Sequence, residues 1–151
     1  MNRIQIRRAH IHDLGLISPL FDLYRQFYEQ VSNLAMAENF LAQRLQHNES
    51  VIFLAFDGDA AVGFTQLYPG FSSVSMARTF LPNDLYVVAS HRRLGVGALL
   101  LKAAVAHAQS AQAVRMSLTT NVANKTAQAV YEAQGWAREQ AFLTYNFKLN
   151  P

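Results

Sequence analysis

Residues 3–8 (RIQIRR) alternate apolar and polar positions, which predicts a short strand. Asp13 follows as a helix cap, and Leu14, Ile17, Phe21, Tyr24, Tyr28 and Val31 recur at steps of three and four. That spacing lines one face of an amphipathic helix. Ser32 or Asn33 starts a second helix through Ala35, Phe40, Leu41 and Leu45. Residues 51–56 (VIFLAF) are a run of the buried-strand type. Asp57-Gly58-Asp59 then predicts a tight turn into a second strand, 61–68 (AVGFTQLY). Pro69-Gly70 is expected to interrupt it; 70–83 carries no clear period, and Pro82 limits a strand there. Residues 84–88 (DLYVV) read as a central strand. Gly95 to Ser110 is rich in Ala and Leu and predicts a helix. Residues 114–119 alternate as a strand, 124–134 read as a helix that Gly135 ends in a left-handed conformation, and 141–149 (AFLTYNFKL) alternate as a last strand.

The order is strand, two helices, a run of strands, then helix, strand, helix, strand. It predicts an α+β or mixed α/β fold with helices covering a central sheet. The 151 residues show no repeat, linker or low-complexity stretch, so 1–151 reads as one domain. With 51% hydrophobic and 15% charged residues the chain is globular. No apolar run nears the ~20 residues that span a bilayer, and the start lacks an apolar signal core. The expectation is a soluble, cytoplasmic protein without membrane partners. The net charge of +3 suits a phosphate-bearing ligand but is too small and scattered to argue for nucleic acid. The absence of cysteine excludes disulfides and any cysteine nucleophile. The five histidines are dispersed and predict no metal site.

Candidate chemistry centres on residues 90–102, SHRRLGVGALLLK. A glycine turn between a strand and a helix presents backbone N–H groups at the helix start, which favours an anion. Tight strand-to-helix packing explains an isolated Gly-x-Gly equally well. A Walker loop would need GxxxxGK[ST]; a dinucleotide fingerprint would need a third glycine where Leu100 stands and an acidic residue near Arg115. Neither is present.

Arg92-Arg93-Leu94-Gly95-Val96-Gly97 resembles instead the acetyl-CoA motif, Arg-x-x-Gly-x-Gly, of the GNAT family of N-acetyltransferases. Asn124-x-x-Ala127-x-x-Val130-Tyr131-Glu132-x-x-Gly135-Trp136 resembles that family's second signature, with Trp136 in place of the usual Phe. The two motifs stand in the family's order and span 84–136. The resemblance implies a central, mostly antiparallel sheet flanked by helices, and acetyl-CoA as cofactor. It implies that backbone amides of 92–97, with Ala98 beyond them, hold the CoA pyrophosphate. The pantetheine arm would pair with the main chain at Val87 and Val88, and the Val87 N–H would polarise the acetyl carbonyl. Asn124, a helix cap on its own reading, would also contact CoA, and Tyr131 would protonate the leaving thiolate. A phenol with pKa ~10 can protonate a thiolate whose thiol pKa is ~8.5.

Without cysteine an acetyl-cysteine intermediate is excluded, and direct attack of the amine on bound acetyl-CoA is the economical mechanism, as the resemblance also implies. A neutral amine needs a proton acceptor, and Asp84, three residues before Val87, is the best-placed carboxylate. Strand alternation puts it with Tyr86 on the face opposite Leu85 and Val87. Asn83-Asp84-Leu85-Tyr86-Val87 resembles the branch of diamine and small histone or polyamine acetyltransferases, where Glu-Asp often stands at this place. Asn83 departs from that pattern, and an amide cannot take a proton. Asp84 as base, or a water as proton carrier, both stay open. The acceptor pocket is expected from Tyr24, Tyr28, Glu29, Tyr68, Phe71, Ser72, Ser73 and Asn83. A polyamine would want several carboxylates, so a small primary amine or a lysine-like side chain of a peptide or protein is the preferred acceptor. A non-catalytic acyl-CoA-binding module and a basic nucleic-acid-binding domain are the alternatives. The alternating tail offers an edge for pairing with a second copy as a homodimer.

Overall fold

A computed structural model describes residues 3–150. It divides into two compact units, one up to Thr119 and one from Thr120.

The first unit holds strands β1 (Ile4–Ala9), β2 (Val51–Asp57), β3 (Ala60–Ser72), β4 (Ala77–Val87) and β5 (Arg115–Met116), with helices α1 (Leu14–Phe27), α2 (Leu34–Gln46) and α3 (Val96–Ser110). The sheet order is β1-β2-β3-β4-β5. The first three pairings are antiparallel, and β4–β5 is parallel. The mixed α/β architecture expected from the sequence is therefore present.

The strand period of two sorts side chains onto two faces. Ile52, Leu54 and Phe64 form one core with Ile17, Leu20 and Phe21 of α1 and Ala37 and Leu41 of α2. Val51, Leu67 and Phe80 pack with Ala104 and Ala108 of α3, while Ala55, Leu85 and Val87 pack with Val96 and Leu100 nearer that helix's start. The sheet is thus filled between α1 and α2 on one side and α3 on the other.

Strand β4 changes faces along its length. Gln66 pairs with Asp84 but Leu67 pairs with Pro82, so Asn83 has no opposite number. One extra residue is a β-bulge, and it reverses the odd–even pattern. Before it, even-numbered Phe80 packs on α3; after it, even-numbered Tyr86 packs on the α1 side.

Several expectations are corrected. Helix α1 stops at Phe27 rather than reaching Val31, and Glu29 takes a left-handed φ of 64°. The cause lies in Asp22, whose carboxylate accepts from Ser32 Oγ (2.6 Å) and Asn33 N (2.8 Å) and draws the chain back. The Asn33 side chain then caps α2 by accepting from Met36 N. Asp13 makes no side-chain cap on α1. It accepts from the two terminal guanidinium nitrogens of Arg7 (2.9 and 3.1 Å) and from His10 N, and the Arg7 hydrogen bond above all lowers its pKa to about 2. Pro69-Gly70 does not interrupt β3, and the segment 70–83 is a continuation of the β3–β4 hairpin. Leu67↔Pro82 and Pro69↔Phe80 are alternate rungs of the ladder. A residue without an N–H is tolerated on the rungs that exchange no hydrogen bond.

The second unit holds α4 (Lys125–Ala133) and the residues after it. Asn124 Oδ1 caps α4 by accepting from Ala127 N (3.1 Å). At its end Trp136 N donates to Tyr131 O and Gly135 N to Glu132 O, with Gly135 at φ 94°. This is the Schellman closure that the position of Gly135 predicts. The strand expected over 141–149 is absent. A strand needs a neighbour for its N–H and C=O groups, which alternation alone does not supply. Here the amides of Ala141 and Phe142 turn instead onto Glu139 Oε2, and Phe142, Leu143, Tyr145, Phe147 and Leu149 are exposed.

Candidate active site

The polar centre of the first unit is Asp84, only 2% exposed. Its Oδ1 accepts from Asn83 Nδ2 (2.7 Å) and its Oδ2 from Gln66 Nε2 (2.5 Å). The Tyr24 hydroxyl is shared between the Asn83 carbonyl (3.4 Å) and the Asp84 carboxylate. Burial raises the Asp84 pKa, and the three donors hold it down in part. The same burial and the nearby carboxylate raise both phenols; Tyr68 is pushed up to about 12 and Tyr24 higher still. Both therefore remain neutral hydroxyls at any pH where the protein works.

Around this carboxylate lies an aromatic layer. Tyr24 meets Tyr28 edge-on with ring centroids 5.1 Å apart and Phe64 at 5.8 Å. Phe27 approaches Tyr86 at 6.5 Å. The sequence-derived candidates divide here. Tyr24, Tyr28, Tyr68 and Asn83 belong to this cluster by their contacts. Phe71 does not: it pairs with Arg78 at the far end of the hairpin, five residues along β3 from Gln66, or roughly 17 Å at strand rise. It is exposed beneath the Arg78 guanidinium. Glu29 is exposed in the turn after α1.

The second element is the open side of β4. Val88 N donates to Val62 O (2.9 Å), which makes that rung a hydrogen-bonded one. Gly63↔Val87 is the next rung, so the Val87 N–H and C=O point away from β3. On that side β5 pairs only with Thr79 and Phe80. From Leu81 onward this edge of β4 carries no strand among the described residues. Gly63 lets β3 and β4 close here, since a Cβ on it would stand 2.9 Å from Tyr86 O. The main chain of Val88 is engaged on both sides, because its carbonyl accepts from His91 N. Of the two expected main-chain contacts, Val87 is the one whose N–H faces the open edge; its carbonyl on that side accepts from Arg92 Nε.

The third element is the turn. Arg93 (φ 64°) and Gly95 (φ 82°) are both left-handed, and α3 begins at Val96. Its first backbone bond runs from Leu99 N to Gly95 O, so Val96 and Gly97 precede the ladder at the positive end of the helix dipole. Leu94 is exposed, the Val96 side chain is buried, and Ala98 lies in the first turn. A Cβ on Gly97 would meet only Leu85 Cδ2, at 3.9 Å, leaving the backbone approachable. The turn is anchored from behind: His91 Nε2 is 2.9 Å from Asp57 Oδ2 and its Nδ1 is 2.8 Å from Ser90 Oγ. The Arg92 side chain turns back onto β4. Its Nε donates to Val87 O (2.8 Å), and its guanidinium lies 5.4 Å over Tyr86 and 5.5 Å over Phe27.

In the second unit, the Tyr131 ring lies 6.3 Å from that of Trp136, within the Schellman closure.

Comparison with known proteins decides the family. A family model described as the acetyltransferase (GNAT) family matches residues 17–136. The chain belongs to the GNAT family. Among its relatives, an uncharacterized N-acetyltransferase YhfO of Bacillus subtilis (strain 168) is 44% identical over 94% of this chain and 95% of its own. A probable acetyltransferase of Haemophilus influenzae is 32% identical over 67% of this chain and 70% of its own. A crystal structure of a probable acetyltransferase, 40% identical, superposes with a TM-score of 0.93 over 97% of this chain and 99% of that one. This GNAT protein is thus an N-acetyltransferase, in a family whose enzymes use acetyl-CoA. No helix among the described residues is long and apolar enough to cross a membrane.

Sequence reasoning missed Gln66 and Tyr86. Gln66 is a polar residue within the apolar run AVGFTQLY, which was the only available signal. Tyr86 read simply as a strand residue.

Proposed function

We propose that this GNAT enzyme transfers the acetyl group of acetyl-CoA directly to a primary amine, on a small molecule or a lysine-like side chain. The observation that carries the reading is Asp84: a buried carboxylate facing α1, on the strand whose open edge leads to the glycine turn. A positive-φ turn at a helix start suits a pyrophosphate, and an unpaired strand edge suits an amide-bearing arm, so these residues fit the cofactor. Backbone N–H groups of 93–97 would hold the pyrophosphate, the Arg92 N–H being turned onto Ala89 O; Ala98 would lie beside it, and Asn124 would add the contact its motif implies. Bound acetyl-CoA supplies the acetyl thioester.

The Val87 N–H polarises the acetyl carbonyl. Asp84 takes the proton of the incoming ammonium, through a water, because it lies beneath Tyr24. The freed nitrogen lone pair would form the C–N bond as the C–S bond breaks; Tyr131 would protonate the departing sulfur, and the second proton, lost from nitrogen as the amide forms, would pass through water to restore the Tyr131 phenol. Tyr24, Tyr28 and Tyr68 line the amine side with π-faces that attract a cation. A diamine or polyamine would call for several carboxylates, whereas this cluster assembles around Asp84 alone. A single amine is therefore the favoured acceptor.

The test is release of free thiol from acetyl-CoA with ethanolamine, tyramine, putrescine and N-α-acetyl-lysine as acceptors, in a protein that contributes no cysteine. Acetylation of a monoamine or of the lysine derivative is expected. Binding of acetyl-CoA without turnover on any of the four would favour an acyl-CoA-binding module, and preference for putrescine would restore the diamine reading.

A further inference from the structure

Gln66 has no exposed surface. It stands directly opposite Asp84 in the ladder, on the last rung before the bulge. Its Nε2 donates to Asp84 Oδ2, whereas its Oε1 is buried with no hydrogen-bond partner. A buried acceptor left unpaired loses its hydrogen bonds to water and gains none in the fold, and an isosteric apolar residue would avoid that loss. Its inward neighbours Phe64, Leu54 and Ile52 are apolar, and Tyr68, two residues along β3, brings the one neighbouring polar group. A glutamine here is therefore unfavourable for folding alone. Its orphan oxygen is not remote from the chemistry. The two ends of an amide are about 2.3 Å apart, so Oε1 lies within about 5 Å of the Asp84 oxygen that Nε2 holds.

We propose that Gln66 is a positioning residue for acetyl transfer. Its N–H fixes the Asp84 carboxylate, and its Oε1 receives the N–H or O–H of the group that delivers the amine's proton to Asp84. This rests on Asp84 as the proton acceptor. Asn83 Nδ2 holds Oδ1 and Gln66 Nε2 holds Oδ2, so each carboxylate oxygen has its own donor. The free oxygen of Gln66 adds an acceptor beside them, a combination that suits a donor-rich ammonium or water. A donor to a carboxylate favours its charged form, so Gln66 lowers the pKa that burial raises.

The experiment compares wild type with Gln66→Leu and Gln66→Met, which keep the volume and remove both polar ends. The Asp84 titration is followed by carboxyl carbon NMR, with Asp84→Asn assigning the signal. Turnover is followed with acetyl-CoA and the best of the four acceptor amines. In both variants the Asp84 titration, and the low-pH limb of kcat, should move to higher pH by about half a unit or more, with kcat down about tenfold. Acetyl-CoA affinity should stay unchanged. A titration midpoint equal to wild type in a folded variant overturns the proposal, as does a full kcat with an unmoved limb. Failure of the underlying reading looks different: Asp84→Asn would then keep wild-type kcat. The NMR arm reads Gln66 even if none of the four amines is acetylated.

Discussion

An alanine at Gly63 would test how closely β3 must hold the working stretch of β4. The added Cβ would stand 2.9 Å from Tyr86 O, with Leu100 Cδ1 and the Val87 side chain at 3.4 Å. The nearest of these is backbone in the middle of a ladder, so it cannot rotate away. Relief requires the strands to part by a few tenths of an ångström, at a cost of about 1–3 kcal/mol for overpacking. Replacing a glycine returns roughly 0.4–1 kcal/mol through the unfolded state, leaving a net loss of about 1–2 kcal/mol. At roughly 2–4 °C per kcal/mol for a chain of this size, Tm should fall by about 2–8 °C. Because the residues pushed are Tyr86 and Val87, acetyl-CoA affinity should fall as well. Scanning calorimetry and titration calorimetry read the two effects. Gly15→Ala is the control: it sits in the first turn of α1 with nothing within 4 Å of the new Cβ, and should raise Tm slightly. A Tm for Gly63→Ala at or above wild type would refute the close-approach argument.

The Asp13 carboxylate, held near pKa 2 by Arg7 and His10, should stabilise the fold at neutral pH. Its folded pKa is depressed, so the contribution is full above about pH 4 and is lost as pH falls through about 2. The side chain of Arg7 is 48% exposed, so screening reduces the contribution to about 1–2 kcal/mol. Urea titrations of wild type and Asp13→Asn should differ by that amount at pH 6 and converge near pH 2; a pH-independent gap would contradict the assignment. Tyr131→Phe should lower kcat by tenfold or more with acetyl-CoA affinity nearly intact. Equal turnover would remove Tyr131 as proton donor. Gly97→Leu should fold with a Tm near wild type, since its Cβ direction is open to 3.9 Å, yet lose acetyl-CoA binding at least tenfold. Normal binding would mean that the turn does not hold the pyrophosphate.

Features decided within a few residues were legible in the sequence. The Asn124 cap, the left-handed Gly135, the two-residue turn at Gly58 and the Ala/Leu-rich α3 all follow from local chemistry. The facing of Asp84 and Tyr86 away from Leu85 and Val87 also followed from strand period alone. What failed was set by partners distant in sequence. Helix α1 ends early because Asp22 reaches residues ten and eleven positions on. The β3–β4 hairpin was hidden by two prolines whose tolerance depends on rung parity, which no local pattern encodes. The tail alternates as a strand would, but alternation reports which side chains share a face and says nothing of a ladder partner. Gln66 signalled locally only that a polar residue sits in an apolar run, because its role comes from Asp84, eighteen residues away.

The single unpaired residue Asn83 has a consequence for how this enzyme can be altered. It divides β4 into two phases. Downstream of it, positions 84 and 86 face α1, while 85 and 87 address the packing beneath α3. On the proposed reading, acceptor preference is then tuned on one parity without disturbing the helix that follows the glycine turn. Removing Asn83 itself would exchange the two sets at once, placing a carboxylate in the α3 core and leucine against α1.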